Sequence, residues 1–173
     1  MLRQAIRNYT SISGSKARII DNFDVHYQWM NQNKPSLSLF YFKNSWNPEC
    51  SRSLQKDFLK MIEHEPFETF VVNSDLGAQG EKVKRYYCVK YEPTFLFLSD
   101  GMEVLRVVGS DLGELTKQIK RVKEFRRKVS SKLNLEPGVD AWENFHDEYI
   151  QEWHEWSRKE SWEGEGTIIF DRN

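Results

Sequence analysis

The chain has 173 residues, a formal net charge of -1 and 39% apolar residues, which is enough for one sizeable core and hardly two. No apolar run approaches the ~18 residues that a membrane span requires, and the near-zero charge removes the global case for binding phosphate backbones. Two cysteines, Cys50 and Cys88, are too few for a disulfide scaffold and match no zinc-ribbon spacing, whereas six Trp, four of them after position 140, exceed what a small core ordinarily uses.

Residues 1–20 hold Arg3, Arg7, Lys16 and Arg18 with Ser and Thr between them and no acid, the composition of a mitochondrial presequence; a basic arm on a cytosolic protein is the competing reading. From Ser36 the run SLSLFYF alternates and then turns fully apolar, as a strand entering a buried sheet does. Asn47 is placed to cap a helix and Pro48 to occupy its first turn, so a helix is predicted over residues 48–64, with Leu54, Phe58, Leu59 and Ile62 on one face and Pro66 ending it. A second strand follows over 67–73, a short helix within 78–89, and a third strand over 94–98 closed by the turn Ser99-Asp100-Gly101. Residues 103–108 return across that turn, and Leu112, Leu115, Ile119 and Val122 form the stripe of a closing helix.

Charge then segregates. Residues 117–132 carry eight bases (Lys117, Lys120, Arg121, Lys123, Arg126, Arg127, Lys128, Lys132) against Glu124 alone, whereas residues 133–173 carry eleven acids against three bases. Blocks of opposite sign satisfy each other, a partner or the solvent, and the basic block could meet lipid head groups or RNA. Pro137-Gly138 marks the change. The expected organisation is a basic arm over 1–20, a core domain over 21–132 and an acidic, Trp-rich extension over 133–173.

The ordered tokens Trp46-Asn47-Pro48-Glu49-Cys50, then Glu92-Pro93-Thr94-Phe95, then Asp100-Gly101-Met102 and Gly109 resemble the thioredoxin family over roughly residues 21–123. The resemblance implies an α/β fold, a central mixed sheet flanked by helices, with Pro93 opening a strand behind a cis peptide bond. It also implies a redox site, and there the sequence departs from the pattern. Thioredoxins attack a substrate disulfide with a low-pKa thiolate and resolve it with a second Cys three positions on. Here Asn47 stands in the attacking position and only Cys50, at the resolving position, is kept. Tyr41 replaces the family's buried Asp, and Glu92 replaces an apolar or small residue beside the groove. The degenerate positions are therefore Trp46, Asn47, Cys50 and Pro93, and no catalytic role, cofactor or metal is expected. Cys88 is expected to be a half-buried core cysteine, unbridged to Cys50. His26, His64, His146 and His154 are too scattered for a metal site, and no phosphate loop or nucleophile motif is present.

Trp142, Phe145, Tyr149, Trp153 and Trp156 recur at steps of three and four, five rings along one side of a helix, with Trp162 beyond. Such a stripe must be buried against something, and Trp142, Phe145, Tyr149, Trp153, Trp156 and Trp162 are expected to bind a partner as interface hot spots, with folding back on the chain's own domain as the competing reading. Thr167, Ile168, Ile169 and Phe170 follow as a strand able to pair with a neighbour. The resemblance implies a precedent for such a role, since complexes of the respiratory chain and the mitochondrial ribosome include subunits resembling this fold without the redox pair. The expected function is thus a non-catalytic accessory subunit docking through its terminal arms to other subunits of a respiratory-chain or other inner-membrane complex, on the matrix side. The alternatives are a mitochondrial ribosome subunit and a monothiol redox protein or chaperone using Cys50.

Overall fold

In the computed structural model, which describes residues 9–159, strand β3 (Leu37–Lys43) has no exposed position, and the rest of the fold covers its two faces. Side chains alternate across a strand. Leu39 and Tyr41 therefore join one buried cluster and Phe40 and Phe42 the other. The six strands lie in the order β1-β2-β4-β3-β5-β6, built from β1 (Thr10–Ser11), β2 (Arg18–Ile19), β4 (Glu68–Asn73), β5 (Thr94–Ser99) and β6 (Met102–Val108) around β3. β3 and β4 are parallel, with Phe40 beside Phe70, whereas β5 is antiparallel to both β3 and β6, so the sheet is mixed as expected. β1 and β2 lie within the segment read as a basic arm. They add to the β4 edge, and Ala17 and Ile20 are buried there.

The first face is covered by α2 (Arg52–Met61), α4 (Leu112–Leu133) and α5 (Ala141–Lys159) through Leu54, Phe58, Leu115, Ile119, Val122 and Phe125. The second is covered by α1 (Phe23–Asn33) and α3 (Gly77–Tyr86) through Trp29 and Val83. Helix α1 has no counterpart in the sequence reading, because Asp24, Asn31 and Asn33 are weak helix formers and its apolar stripe is thin. It is nonetheless well capped. Asn22 Oδ1 accepts from Val25 N at 3.1 Å, and Lys34, left-handed at φ 41°, returns its N–H to Met30 O at 2.9 Å.

The single helix expected over residues 48–64 is divided. Pro48–Cys50 form a 3-10 turn, Ser51 is extended, and its Oγ accepts from Leu54 N at 3.1 Å to begin α2 afresh. Helix α5 is kinked at Phe145 (φ -139°, ψ 24°). Its rings do not all meet one fate: Tyr149, Trp153 and Trp156 close on Phe125 in the chain's own core, Phe145 is partly buried beside it, and Trp142 is exposed and edges onto His146. Tyr149, Trp153 and Trp156, expected to bind a partner, are instead occupied within the chain, because Phe125 of α4 gives them an apolar ring to close on. Trp162 and residues 167–170 lie outside the described residues.

Asp100 secures this fold-back. Its backbone O accepts from Ala141 N at 3.2 Å, and Arg126 Nε lies 2.7 Å from its Oδ2 as an ion pair rather than an aligned hydrogen bond. The Tyr149 hydroxyl donates to Ser99 Oγ and lies 3.3 Å from Asp100 Oδ2. Burial pushes the Asp100 carboxyl up to about 6 against the pull of Arg126. The basic block is largely spent within the chain: Lys117 meets Glu114, Lys123 Glu65, Arg126 Asp100, Lys128 Glu124 and Lys132 Glu152.

Two tests follow from packing. A Cβ on Gly80 would stand 2.1 Å from Asn73 O, backbone that cannot move aside, so Gly80→Ala is expected to lower the unfolding free energy by about 2 kcal/mol or more in urea titration. His26 is buried between the hydroxyls of Tyr9 (3.2 Å from Nδ1) and Tyr87 (2.9 Å from Nε2), and burial lowers its pKa to about 3. Between that value and the ordinary 6.5 the unfolded chain takes up a proton the folded one refuses. His26 alone should therefore remove about 2 kcal/mol of stability between pH 6.5 and pH 5. Its ring proton resonance should stay constant from pH 7.5 to 5.

Candidate functional site

β3 and β4 end, and β5 begins, at the same edge of the sheet, so the loops that follow Lys43 and Asn73 and precede Thr94 converge. The loop after β3 is self-braced: Asn44 Oδ1 accepts from Asn47 N at 2.9 Å, and Ser45 N donates to Asp75 Oδ2 at 2.9 Å, tying it to the loop after β4. Asn47 then does two things. Its Oδ1 accepts from Glu49 N at 2.9 Å, capping the 3-10 turn, and its Nδ2 donates to Glu92 O at 2.6 Å. The carbonyl it reaches is that of the Glu92-Pro93 peptide bond, which is cis, and Pro93 is buried. An amide side chain thereby joins the turn to the segment before β5.

Cys50 ends the 3-10 turn, one residue before the α2 cap, buried and free. Burial pushes its thiol above the usual range; the Glu92 and Glu49 charges add to that, while the Asn44 backbone N–H and Lys43 oppose it. α2 begins only after Ser51, so Cys50 belongs to the 3-10 turn and not to the helix. Tyr41 is fully buried, stacked on Phe95 at 4.9 Å, its hydroxyl without a hydrogen-bond partner, and burial raises the phenol's pKa. Glu92 does not line a groove. Its side chain, 4% exposed, turns inward to accept from the Ser74 hydroxyl at 2.6 Å and to meet Lys84 Nζ at 2.7 Å. Cys88 is exposed rather than half-buried, and left-handed at φ 53°. The buried Arg106 holds it in place by donating to Tyr87 O and Cys88 O while pairing with Glu103.

Around Asn47 the three loops raise an apolar rim: Trp46 is 74% exposed, Tyr91 68% and Leu76 66%. Sequence reasoning found Trp46 by its place before Asn47 and missed the other two. The available signal was a large apolar residue inside turn-forming sequence, Asp75-Leu76-Gly77 and Tyr91-Glu92-Pro93, where no periodicity assigns it to a core. Among the described residues no group of three or more His, Cys, Asp or Glu is placed to hold a metal ion.

Solved thioredoxins share this fold. Fasciola hepatica thioredoxin superposes with a TM-score of 0.53 at 27% identity, covering 60% of this chain and 96% of that one. Thioredoxin NaTrxh from Nicotiana alata superposes with a TM-score of 0.56 at 24% identity, covering 65% and 96%. The fold is thioredoxin-like. Among curated proteins, glutaredoxin 3 of Danio rerio is 29% identical over 106 residues, 61% of this chain. The match spans only 31% of that relative's length. No protein-family model matches the chain.

The two thiols of this thioredoxin-like chain differ in exposure and should differ in chemistry. With an aromatic disulfide reagent at pH 8, Cys88 is expected to react at the rate of a free thiol and Cys50 at least about 100-fold more slowly, the difference vanishing in denaturant. Peptide mapping of the modified protein checks the assignment.

Proposed function

We propose that this thioredoxin-like chain is a non-catalytic docking module, an accessory subunit of a larger protein assembly. The observation that carries the reading is the Asn47 amide, which occupies the position of an attacking thiol and donates to Glu92 O at 2.6 Å. Disulfide exchange needs a thiolate at that position, and an amide supplies neither the nucleophile nor a leaving group. Its hydrogen bond instead braces two of the three loops that display Trp46, Leu76 and Tyr91, and a preorganised aromatic rim is the kind of surface that carries protein interfaces. The acid-free composition of residues 1–20 supports a mitochondrial address. The internal pairing of five bases in residues 117–132 favours a protein-rich setting, such as a respiratory-chain or other inner-membrane complex on its matrix face, over the ribosome's RNA or anionic lipid.

A monothiol redox role is the second reading, favoured by the likeness to the Danio rerio glutaredoxin and by the exposed thiol of Cys88. Insulin reduction separates the two. The docking reading expects no acceleration over dithiothreitol alone; acceleration lost in Cys50→Ser or Cys88→Ser would replace it with the redox one. In native electrophoresis of gently solubilised mitochondria the chain should migrate with a large complex. Trp46→Ala with Tyr91→Ala should weaken that association about 30-fold or more, as loss of hot-spot residues does. Migration at the mass of the free chain would count against an assembly.

A further inference from the structure

β6 is the last strand in the sheet order, and no described strand pairs with its outer edge. An open edge presents a row of backbone donors and acceptors that proteins ordinarily cover. Beside it runs a groove of about 1010 Å³, bounded on one side by α1 and the segment after α3 and on the other by α5, with Tyr27, Tyr86, Trp142, Val104 and Ile150 on its walls. Tyr27, Tyr86 and Trp142 are about half exposed there, and Lys34 reaches Glu143 across it at 3.6 Å. A surface with a backbone edge as floor and aromatic rings as walls suits an extended, apolar peptide.

The chain supplies such a peptide at the right place. α5 starts beside the β5–β6 turn, where Ala141 N donates to Asp100 O, and its later turns lie over α4, where Trp156 stacks on Arg121. The helix therefore points away from that turn, toward the Val108 end of β6, and a chain doubling back from it runs antiparallel to β6. Beyond Lys159 come seven residues that include Gly164 and Gly166, then Thr167-Ile168-Ile169-Phe170, β-branched and aromatic residues of high strand preference. Seven extended residues reach up to ~25 Å, well beyond the ~10 Å between packed elements. A segment so tethered has an effective concentration in the millimolar range, above that of any free partner of equal fit.

We propose that residues 167–170 of this chain add to the outer edge of β6 as an antiparallel strand, closing the sheet and filling the groove. Hydrogen exchange on the full-length protein tests it against the variant Ile168→Lys with Ile169→Lys, which alters both faces of the strand and leaves residues 9–159 untouched. The outward-facing amides of β6 should exchange at least about tenfold faster in the variant, at monomeric mass and at any protein concentration. A synthetic peptide of residues 164–173 should restore their protection. Equal exchange in both proteins overturns the proposal. So does protection that appears only as a dimer forms, since the strand then belongs to a second copy.

Discussion

The described elements are arranged to dry both faces of β3. From Leu37 to Phe42 the strand is buried throughout, and its alternation sends Leu39 and Tyr41 one way and Phe40 and Phe42 the other. Backbone groups so buried must pair on both sides, which β4 and β5 accomplish, and apolar faces so large need helices above and below. The two parallel strands then end together where β5 begins, and that edge holds the loops of Trp46, Leu76 and Tyr91. The site is a consequence of sheet topology before it is a consequence of any one residue.

The same need explains why the chain does not stop at α4. The aromatic cluster of Phe125, Tyr149, Trp153 and Trp156 extends the first core beyond the reach of α2 and α4, each ring removing about 150–250 Å² from water. Such burial is non-directional, and Asp100 supplies the direction. One buried turn residue binds α4 through Arg126 and α5 through Tyr149 and Ala141 N, so the added helix is registered against the β5–β6 turn rather than merely adhering. The kink at Phe145 leaves Trp142 outside that registration and at the groove.

What could be read in the sequence depended on the strength of the local pattern. β3 and β5 were legible because their cores, Leu39–Phe42 and Phe95–Leu98, are continuous apolar runs, and β6 because the Ser99-Asp100-Gly101 turn and Gly109 bound it. Helix α1 was not, since its stability comes from burying His26 and Trp29 under a sheet that sequence cannot supply. The division at Ser51 was hidden for a different reason: Asn47 and Ser51 are both competent caps four residues apart, and only the tertiary bond from Asn47 to Glu92 O decides that the first closes a 3-10 turn and the second opens the helix. Glu92 misled through its charge. A carboxylate beside a groove reads as a groove wall until Lys84 and Ser74, distant in sequence, are seen to draw it inward.

In the proposed docking module, an amide at Asn47, where the thioredoxin resemblance implies an attacking thiol, gives the site a different mechanical character as well as a different chemistry. A reactive thiol must remain free to approach a substrate, so it cannot be committed to bonds within the fold. An amide has no such obligation, and here both ends of it are used, Oδ1 on the turn and Nδ2 on the strand before Pro93. Cys50 below is left in a setting that favours the neutral thiol, with Tyr41 adding apolar bulk from the strand where a charged proton carrier is otherwise expected. Rigidity gained at that edge costs nothing in turnover if the rim's task is to hold a partner. It would be a handicap if the task were to exchange electrons with one, and this asymmetry is why the amide bond weighs more than the retained cysteine.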